Sequence, residues 1–145
     1  MSDIMIRPCT MHDAEDICYL SREALGYDFT LEQTAEKLCK ALERSSDLIL
    51  IAEYCGEVAG YIHACDYDLL YFPHMKNIMG IAVYEKFRRM GVGTALLSAV
   101  EAWARETGAE AVRLSSGESR ASAHEFYKTI GYSCGSKQLN FRKTV

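Results

Sequence analysis

Residues 88–93, Arg-Arg-Met-Gly-Val-Gly, are the part of this sequence whose types and spacing speak most directly of chemistry. An apolar run, Lys76–Tyr84, stops just ahead of them, and an amphipathic run, Val92–Thr107, begins inside them. Glycines at 91 and 93 let a backbone come close to a ligand. The start of a helix presents N–H groups with no intrahelical acceptor and a partial positive charge, which suits a phosphate. Arg88 and Arg89 add fixed charge that can pair with a pyrophosphate. Two familiar phosphate loops do not fit. No Lys-Ser/Thr follows the glycines, and Leu96 stands where a dinucleotide fingerprint has its third glycine. A helix that merely starts at a glycine, with both arginines solvated, accounts for the hexapeptide as well.

A second stretch is Ala123-His-Glu-Phe-Tyr-Lys-Thr-Ile-Gly-Tyr132. A core-facing aromatic pair and a glycine helix stop explain Phe126 and Gly131, but leave the hydroxyl of Tyr127 without a reason. Lone histidines such as His63 and His124 read as hydrogen-bonded structural residues. Six cysteines stand at 9, 18, 39, 55, 65 and 134, none in a Cys-x-x-Cys pair. That spacing speaks against zinc and against a redox motif, so the expectation is no metal and reduced, core or partly buried thiols.

The elements that must position these residues follow from periodicity and punctuation. Ile4–Arg7, closed by Pro8, reads as an edge strand. Thr10 with Asp13 forms a loose capping box ahead of a helix carrying Ala14, Ile17 and Cys18 inward and ending at Gly26. Thr30 caps a second helix, Leu31–Glu43, with Ala35, Leu38, Cys39 and Leu42 on one face. Asp47–Tyr54, a turn at Cys55-Gly56-Glu57, and Val58–Cys65 make an antiparallel hairpin. Asp66–Met75 is a polar, aromatic loop. Strand Lys76–Tyr84 and helix Val92–Thr107 come next, the helix with Ala95, Leu96, Ala99, Val100 and Trp103 facing in. A short strand Ala111–Ser115, a helix Ser119–Ile130 and one or two closing strands in 132–143 complete an α/β (α+β) layer arrangement.

The chain has 145 residues, 49% of them hydrophobic and 25% charged, values of one ordinary globular domain spanning 1–145. No apolar run is long enough to cross a membrane and no secretory leader is apparent, so a cytoplasmic protein is expected. A formal net charge of −4 argues against a nucleic-acid partner. The charge is uneven. Residues 1–60 hold 12 acidic and 5 basic side chains, and residues 61–145 hold 8 acidic and 11 basic. Two ligand-facing regions of opposite sign would produce that split.

Taken together, the two motifs resemble the GNAT superfamily of N-acetyltransferases. Arg88, Gly91 and Gly93 match its Arg/Gln-x-x-Gly-x-Gly/Ala motif. Ala123, Phe126, Tyr127, Gly131 and Tyr132 match its Ala-x-x-Phe-Tyr-x-x-x-Gly-Phe/Tyr motif. Ile6-Arg7-Pro8-Cys9-Thr10 with Asp13, and Glu53–Gly60, look like its first strand and second hairpin. The resemblance implies the GNAT fold: a mixed, mostly antiparallel sheet flanked by helices, with strands four and five splayed apart. It implies acetyl-CoA as co-substrate, with no metal. The pantetheine arm would pair with Ile81, Ala82 and Val83. The pyrophosphate would lie on Arg88, Arg89, Met90, Gly91, Val92, Gly93 and Thr94. Tyr127 would be the general acid that protonates the departing thiolate, and the amine would attack directly.

One departure stands out. Gly80 occupies the strand-four position where many relatives carry a glutamate base, leaving Glu53, His63, Asp66 and Glu118 as candidates. The resemblance puts the acceptor between Leu25–Thr30 and Asp66–Met75. There Tyr27, Asp28, Asp66 and Tyr67 would suit a small cationic amine through ion pairing and cation–π contact. A loop whose aromatics cover the core edge or a partner copy is the plainer account of the same residues. The alternatives are a protein N-terminal or lysine acetyltransferase and an inert CoA-binding regulatory domain. The resemblance is compatible with a homodimer, since members of that family often pair through late strands, but the sequence does not give the oligomeric state.

Overall fold

The structure, a computed structural model, describes residues 3–145. Met1 and Ser2, the head of the stretch searched for a leader, lie outside them. Two compact units make up the chain, one ending at Leu114 and the other comprising Ser115–Val145.

The first unit is built on strands β1 (Ile4–Pro8), β2 (Asp47–Tyr54), β3 (Glu57–Tyr67), β4 (Met75–Val83) and β5 (Ala111–Leu114), in that order across one sheet. The first four are antiparallel neighbours, and β5 joins β4 in parallel. Pro8 sits on the edge strand, where its missing N–H costs no ladder bond. β2 and β3 are joined by Cys55 and Gly56, both at positive φ (49° and 85°), as a two-residue hairpin turn requires.

Three helices flank this sheet: α1 (Ala14–Leu25), α2 (Leu31–Glu43) and α3 (Val92–Glu106). Thr10 and Asp13 form the full capping box, though around a 3₁₀ turn, Met11–Asp13, that leads into α1. Thr30 and Gln33 form another at α2. Ile17, Leu20, Leu38 and Ala41 bury against Ile49, Ile51 and Tyr61. Successive strand side chains alternate faces, so Leu50 and Ile62 point the other way, toward α3 with its buried Val92, Leu96, Leu97 and Val100.

Several expectations need correction. β3 runs to Tyr67, so Asp66 and Tyr67 are strand residues and the loop is only 68–74. They extend the ladder because Lys76 and Met75 stand opposite them, and Asp66 with Lys76 is an opposite-charge cross-strand pair. On α2 the inward row is Thr34, Leu38 and Ala41, while Cys39 and Leu42 are exposed. The helix is turned by about one residue from the face expected, which keeps an i, i+4, i+7 row on the sheet. Cys39, Cys55 and Cys134 are likewise exposed, leaving Cys9 and Cys18 as the buried thiols.

Gly60 on β3 marks a close approach. A Cβ there would lie 2.6 Å from the carbonyl oxygen of Ala82. Gly60→Ala is expected to cost about 1–3 kcal/mol, read as a lowered urea midpoint, because backbone must shift to admit the methyl.

The second unit contains one helix, α4 (Ala121–Thr129), shorter at both ends than expected. Gly131, at φ 102°, follows it. The closing strands expected in 132–143 are absent: these residues adopt no regular structure, and Leu139 and Phe141 are exposed. Ser-Cys-Gly-Ser-Lys offers few strand-forming side chains, and two alternating apolar residues provide little face to bury. Among the described residues, no helix is long and apolar enough to cross a membrane.

Candidate active site

β4 is the strand that makes a site possible. It pairs with β5 only over Met75–Ile78. Beyond Ile78 the two strands part, and Met79–Val83 keep β3 alone as a neighbour in the sheet. Met79 is a bulge residue, since His63 stands opposite Gly80 and Ala64 opposite Ile78. The N–H of Tyr84 donates to the carbonyl of Ala59 (2.8 Å). Amide direction alternates along a strand, so Ala82 also points toward β3, while Ile81 and Val83 turn N–H and C=O to the open edge. The guanidinium Nε of Arg88 reaches Val83 O on that edge (3.3 Å).

From Val83 the chain enters a 3₁₀ turn, Glu85–Phe87, and then the arginine–glycine segment. Gly91 caps α3 at φ 87°, and no side chain caps the helix start. No acidic residue lies in the first turn. The first amides of α3 thus have neither intrahelical acceptor nor competing anion. Arg89 holds φ 65°, uncommon for a residue with a Cβ. Residues 81–83 and 88–94 are therefore brought together: an open strand edge runs into an uncapped, positively flanked helix start. Arg88→Ala is expected to weaken coenzyme A binding by about 1–3 kcal/mol, measured by calorimetry, through loss of a charge-assisted contact.

On the α1 side of β4, Gly80 leaves room for what a larger residue would occupy. A Cβ there would sit 3.6 Å from the Tyr61 hydroxyl, which is hydrogen-bonded to Ser21 Oγ (2.8 Å). Burial raises the Tyr61 pKa, with the Ser21 bond partly opposing it, so this phenol stays protonated. Sequence reasoning missed this pair. Alternation along β3 could have put Tyr61 on the inner face, but not at Gly80.

Each candidate base already has a polar side-chain partner. Glu53 accepts from Arg7 Nε (2.7 Å), and Asp66 from Lys76 Nζ (2.5 Å) with His74 at 3.0 Å. His63 Nε2 lies 2.7 Å from Asp47, and Glu118 accepts from Lys137 Nζ (2.6 Å). Burial pushes the Asp47 carboxyl upward, but bonds from Arg44, His63 and Ser46 outweigh it and bring it to about 2. His124 donates to the carbonyl of Gly117 (2.9 Å), as a structural histidine would. Burial next to Asp13 pushes the Cys9 thiol up to about 12, which makes it inert as a nucleophile.

The acceptor candidates scatter. Tyr27 is exposed, as is Asp28. Asp66 and Tyr67 lie opposite Lys76 and Met75, about 17 and 20 Å along β4 from Ile81 at strand rise. Tyr67 is covered by the Arg113 guanidinium, 4.5 Å from its ring centroid. The ammonium of Lys76, itself buried, lies 3.8 Å from the centroid of Trp103.

The described residues of this unit form at least two depressions. One, of about 500 Å³, lies by the β2–β3 turn, where Tyr84 pairs with Asp16 and Lys86 with Glu57. Another, of about 240 Å³, lies between α2 and the sheet, with Leu38 and Ile49 in its wall and Tyr61, His63, Lys37 and Arg44 among its polar lining.

In the second unit, Tyr127 is half-buried, its ring 5.4 Å from Phe126 and 6.1 Å from Tyr132. Burial raises its pKa, with Arg120 opposing in part, so the phenol carries a proton to donate.

Residues 11–132 match the Acetyltransferase (GNAT) family. The chain is 33% identical over 135 residues to an N-alpha-acetyltransferase of Sulfurisphaera tokodaii, covering 88% of this chain and 78% of that protein. It is 29% identical over 140 residues to the aminoalkylphosphonate N-acetyltransferase of Salmonella typhimurium, covering 96% and 88%. A match to acetyl transferase GW6a of Oryza sativa subsp. japonica is 30% identical over 105 residues. It takes in 64% of this chain but spans only 25% of the rice protein. Among solved structures, AAC(6')-Iy in complex with a bisubstrate analogue superposes with a TM-score of 0.86 at 18% identity, covering 98% and 99%, a likeness of fold.

Proposed function

The chain belongs to the acetyltransferase (GNAT) family, and from that premise we propose that it moves the acetyl group of acetyl-CoA to the primary amine of a small molecule. The observation that carries this reading is the open half of β4 running into the uncapped, acid-free start of α3. That donor set fits an extended amide arm ending in a pyrophosphate. Ile81 and Val83 would pair with the arm, and the amides and arginines of 88–94 would hold the phosphates.

Bound acetyl-CoA supplies an activated acyl group. The outward N–H near Val83 polarises the acyl carbonyl. The acceptor nitrogen forms the new C–N bond as the C–S bond breaks, and Tyr127 gives its hydroxyl proton to the departing thiolate. The proton shed by the amine leaves through water, which the Tyr61–Ser21 pair beside Gly80 can orient, and a proton from solvent restores the Tyr127 phenol. No carboxylate stands at Gly80, and the other candidates are spent on cations. The reaction belongs in the cytoplasm, where six free cysteines stay reduced.

A small acceptor is supported by the Salmonella relative. A protein N-terminal amine is the second reading, favoured by the Sulfurisphaera relative. Thiol release from acetyl-CoA, measured against a set of small amines and a set of short peptides, separates them. Turnover confined to peptides would overturn the first reading. Coenzyme A binding without any turnover would favour the inert alternative.

A further inference from the structure

Val83, the last residue of β4, turns its carbonyl to the open edge, beyond the stretch where β5 runs alongside. Arg88 Nε donates to that carbonyl at 3.3 Å. The nitrogen lies closer than the roughly 4.8 Å that separates neighbouring strands, so the guanidinium stands where an extended arm on this edge would place its own N–H. The contact is loose. It is long for an N–H donor on a carbonyl, and it is exposed. Among the described residues, no carboxylate pairs with Arg88. The backbone beneath the side chain is fixed, by contrast. Phe87 is buried with its ring 5.4 Å from that of Tyr54, and the N–H of Arg88 donates to the carbonyl of Glu85 (3.2 Å). Arg88 thus has a held backbone and a long, exposed side chain. Val83 O lies to one side of it, and three residues further on Gly91 caps the acid-free start of α3.

We infer that Arg88 selects the acyl donor: its guanidinium closes the Val83 carbonyl, a donor that carries a pyrophosphate draws it off, and a thioester without one must displace it. The inference rests on the acetyl-CoA reading above for the donor's identity. Two unequal partners drive the exchange. A hydrogen bond to a neutral carbonyl is about half as strong as one to a phosphate oxygen. Moving Arg88 from Val83 O to the pyrophosphate therefore frees the carbonyl for the arm with a net fall in free energy. A neutral arm offers no such partner. It binds only those molecules whose edge is open, and its affinity is reduced by that fraction. Arg88 then acts with opposite signs on the two ligands, strengthening the full donor and weakening the arm alone. A guanidinium that served the phosphates and nothing else would do the first without the second.

The test compares coenzyme A with pantetheine, which keeps the arm and lacks every phosphate, on the wild-type chain, Arg88→Ala and Arg89→Ala. Both arginines are exposed, so alanine leaves the core intact, and matching urea midpoints check that. Calorimetry gives the dissociation constant for coenzyme A, and an NMR titration gives that for pantetheine. Arg88→Ala is expected to weaken coenzyme A binding by about tenfold or more, the scale of one hydrogen bond to a charged group. It is expected to tighten pantetheine binding by about two- to tenfold, the scale of one neutral hydrogen bond. Arg89→Ala removes the same charge but leaves Val83 O covered, so it should weaken coenzyme A and leave pantetheine unchanged. Thiol release should show the same signs in kcat/KM for acetyl-CoA and S-acetylpantetheine. Pantetheine binding that is unchanged, undetectable or weaker in Arg88→Ala, or equally tightened by Arg89→Ala, would overturn the inference and leave the acetyl-CoA reading standing. Opposite shifts for the two ligands, without turnover of any amine, would uphold the inference and remove acetyl transfer. A wild type that binds coenzyme A no better than pantetheine would remove both.

Discussion

Tyr127→Phe should lower kcat by about 10²-fold while the dissociation constant for coenzyme A stays where it was. The reason lies in the leaving group. A thiolate whose conjugate acid has a pKa near 8.5 departs more readily if a proton reaches it during C–S cleavage. Burial keeps the Tyr127 phenol above its ordinary value near 10, so it is protonated at neutral pH. The sign of the pH dependence follows. Wild-type kcat should hold through neutral pH and fall only as the phenol ionises in strongly alkaline solution, whereas the phenylalanine variant should lack that limb. Single-turnover kinetics across pH would measure both. Equal kcat in the two proteins would remove Tyr127 as the acid. Phenylalanine keeps the ring contacts with Phe126 and Tyr132, so lost packing would not mimic lost chemistry.

Asp13→Asn is expected to be the most damaging conservative change to stability, at about 2–4 kcal/mol, read from urea unfolding at pH 7. Asp13 is buried and accepts both forks of Arg7 (2.9 and 2.8 Å) and the N–H of Thr10 (2.8 Å). It therefore ties β1 to the start of α1, while Arg7 also donates to Glu53 on β2. Burial alone pushes the Asp13 carboxyl up, but the bonds from Arg7 and Thr10 outweigh it and leave the pKa below the ordinary carboxylate value. A folded pKa below the unfolded one means that this stabilisation is complete above the unfolded value near 4. It is lost as pH falls through the folded value. The wild type should lose stability in acid along that limb, and the asparagine variant should show a flatter one. Two variants with the same acid limb would exclude Asp13 as its source.

The sequence was most legible where local chemistry leaves one solution. Thr10 with Asp13 and Thr30 before Gln33 are capping boxes because those side chains reach the adjacent orphan amides. Cys55-Gly56 forms a turn because a tight hairpin needs positive φ. It was least legible where a residue's partner lies far along the chain. Asp66 looked like a free loop carboxylate until Lys76, ten residues on, stood across the ladder from it. The acidic excess before residue 60 has the same explanation in part. Asp13 and Glu53 serve Arg7, and Asp47 serves Arg44 and His63, so these carboxylates hold the fold rather than await a cation. The closing strands failed for the opposite reason, since a strand forms only with a partner, and alternating Leu139 and Phe141 do not supply one.

By itself the sequence determined the helix start proposed to hold phosphates. Two glycines and two arginines at the mouth of an amphipathic helix dictate exposed amides and positive charge, whatever surrounds them. Its spacing with the Phe126-Tyr127 motif also determined the family. Tertiary structure alone decided where β4 parts from β5, and that the Tyr61 hydroxyl, bonded to Ser21, stands over Gly80. It alone gathered Lys37, Arg44 and His63 around a cavity free of carboxylates. Those are facts of strand register and cross-chain packing, set by which faces are buried against one another, and no local pattern of residues encodes them.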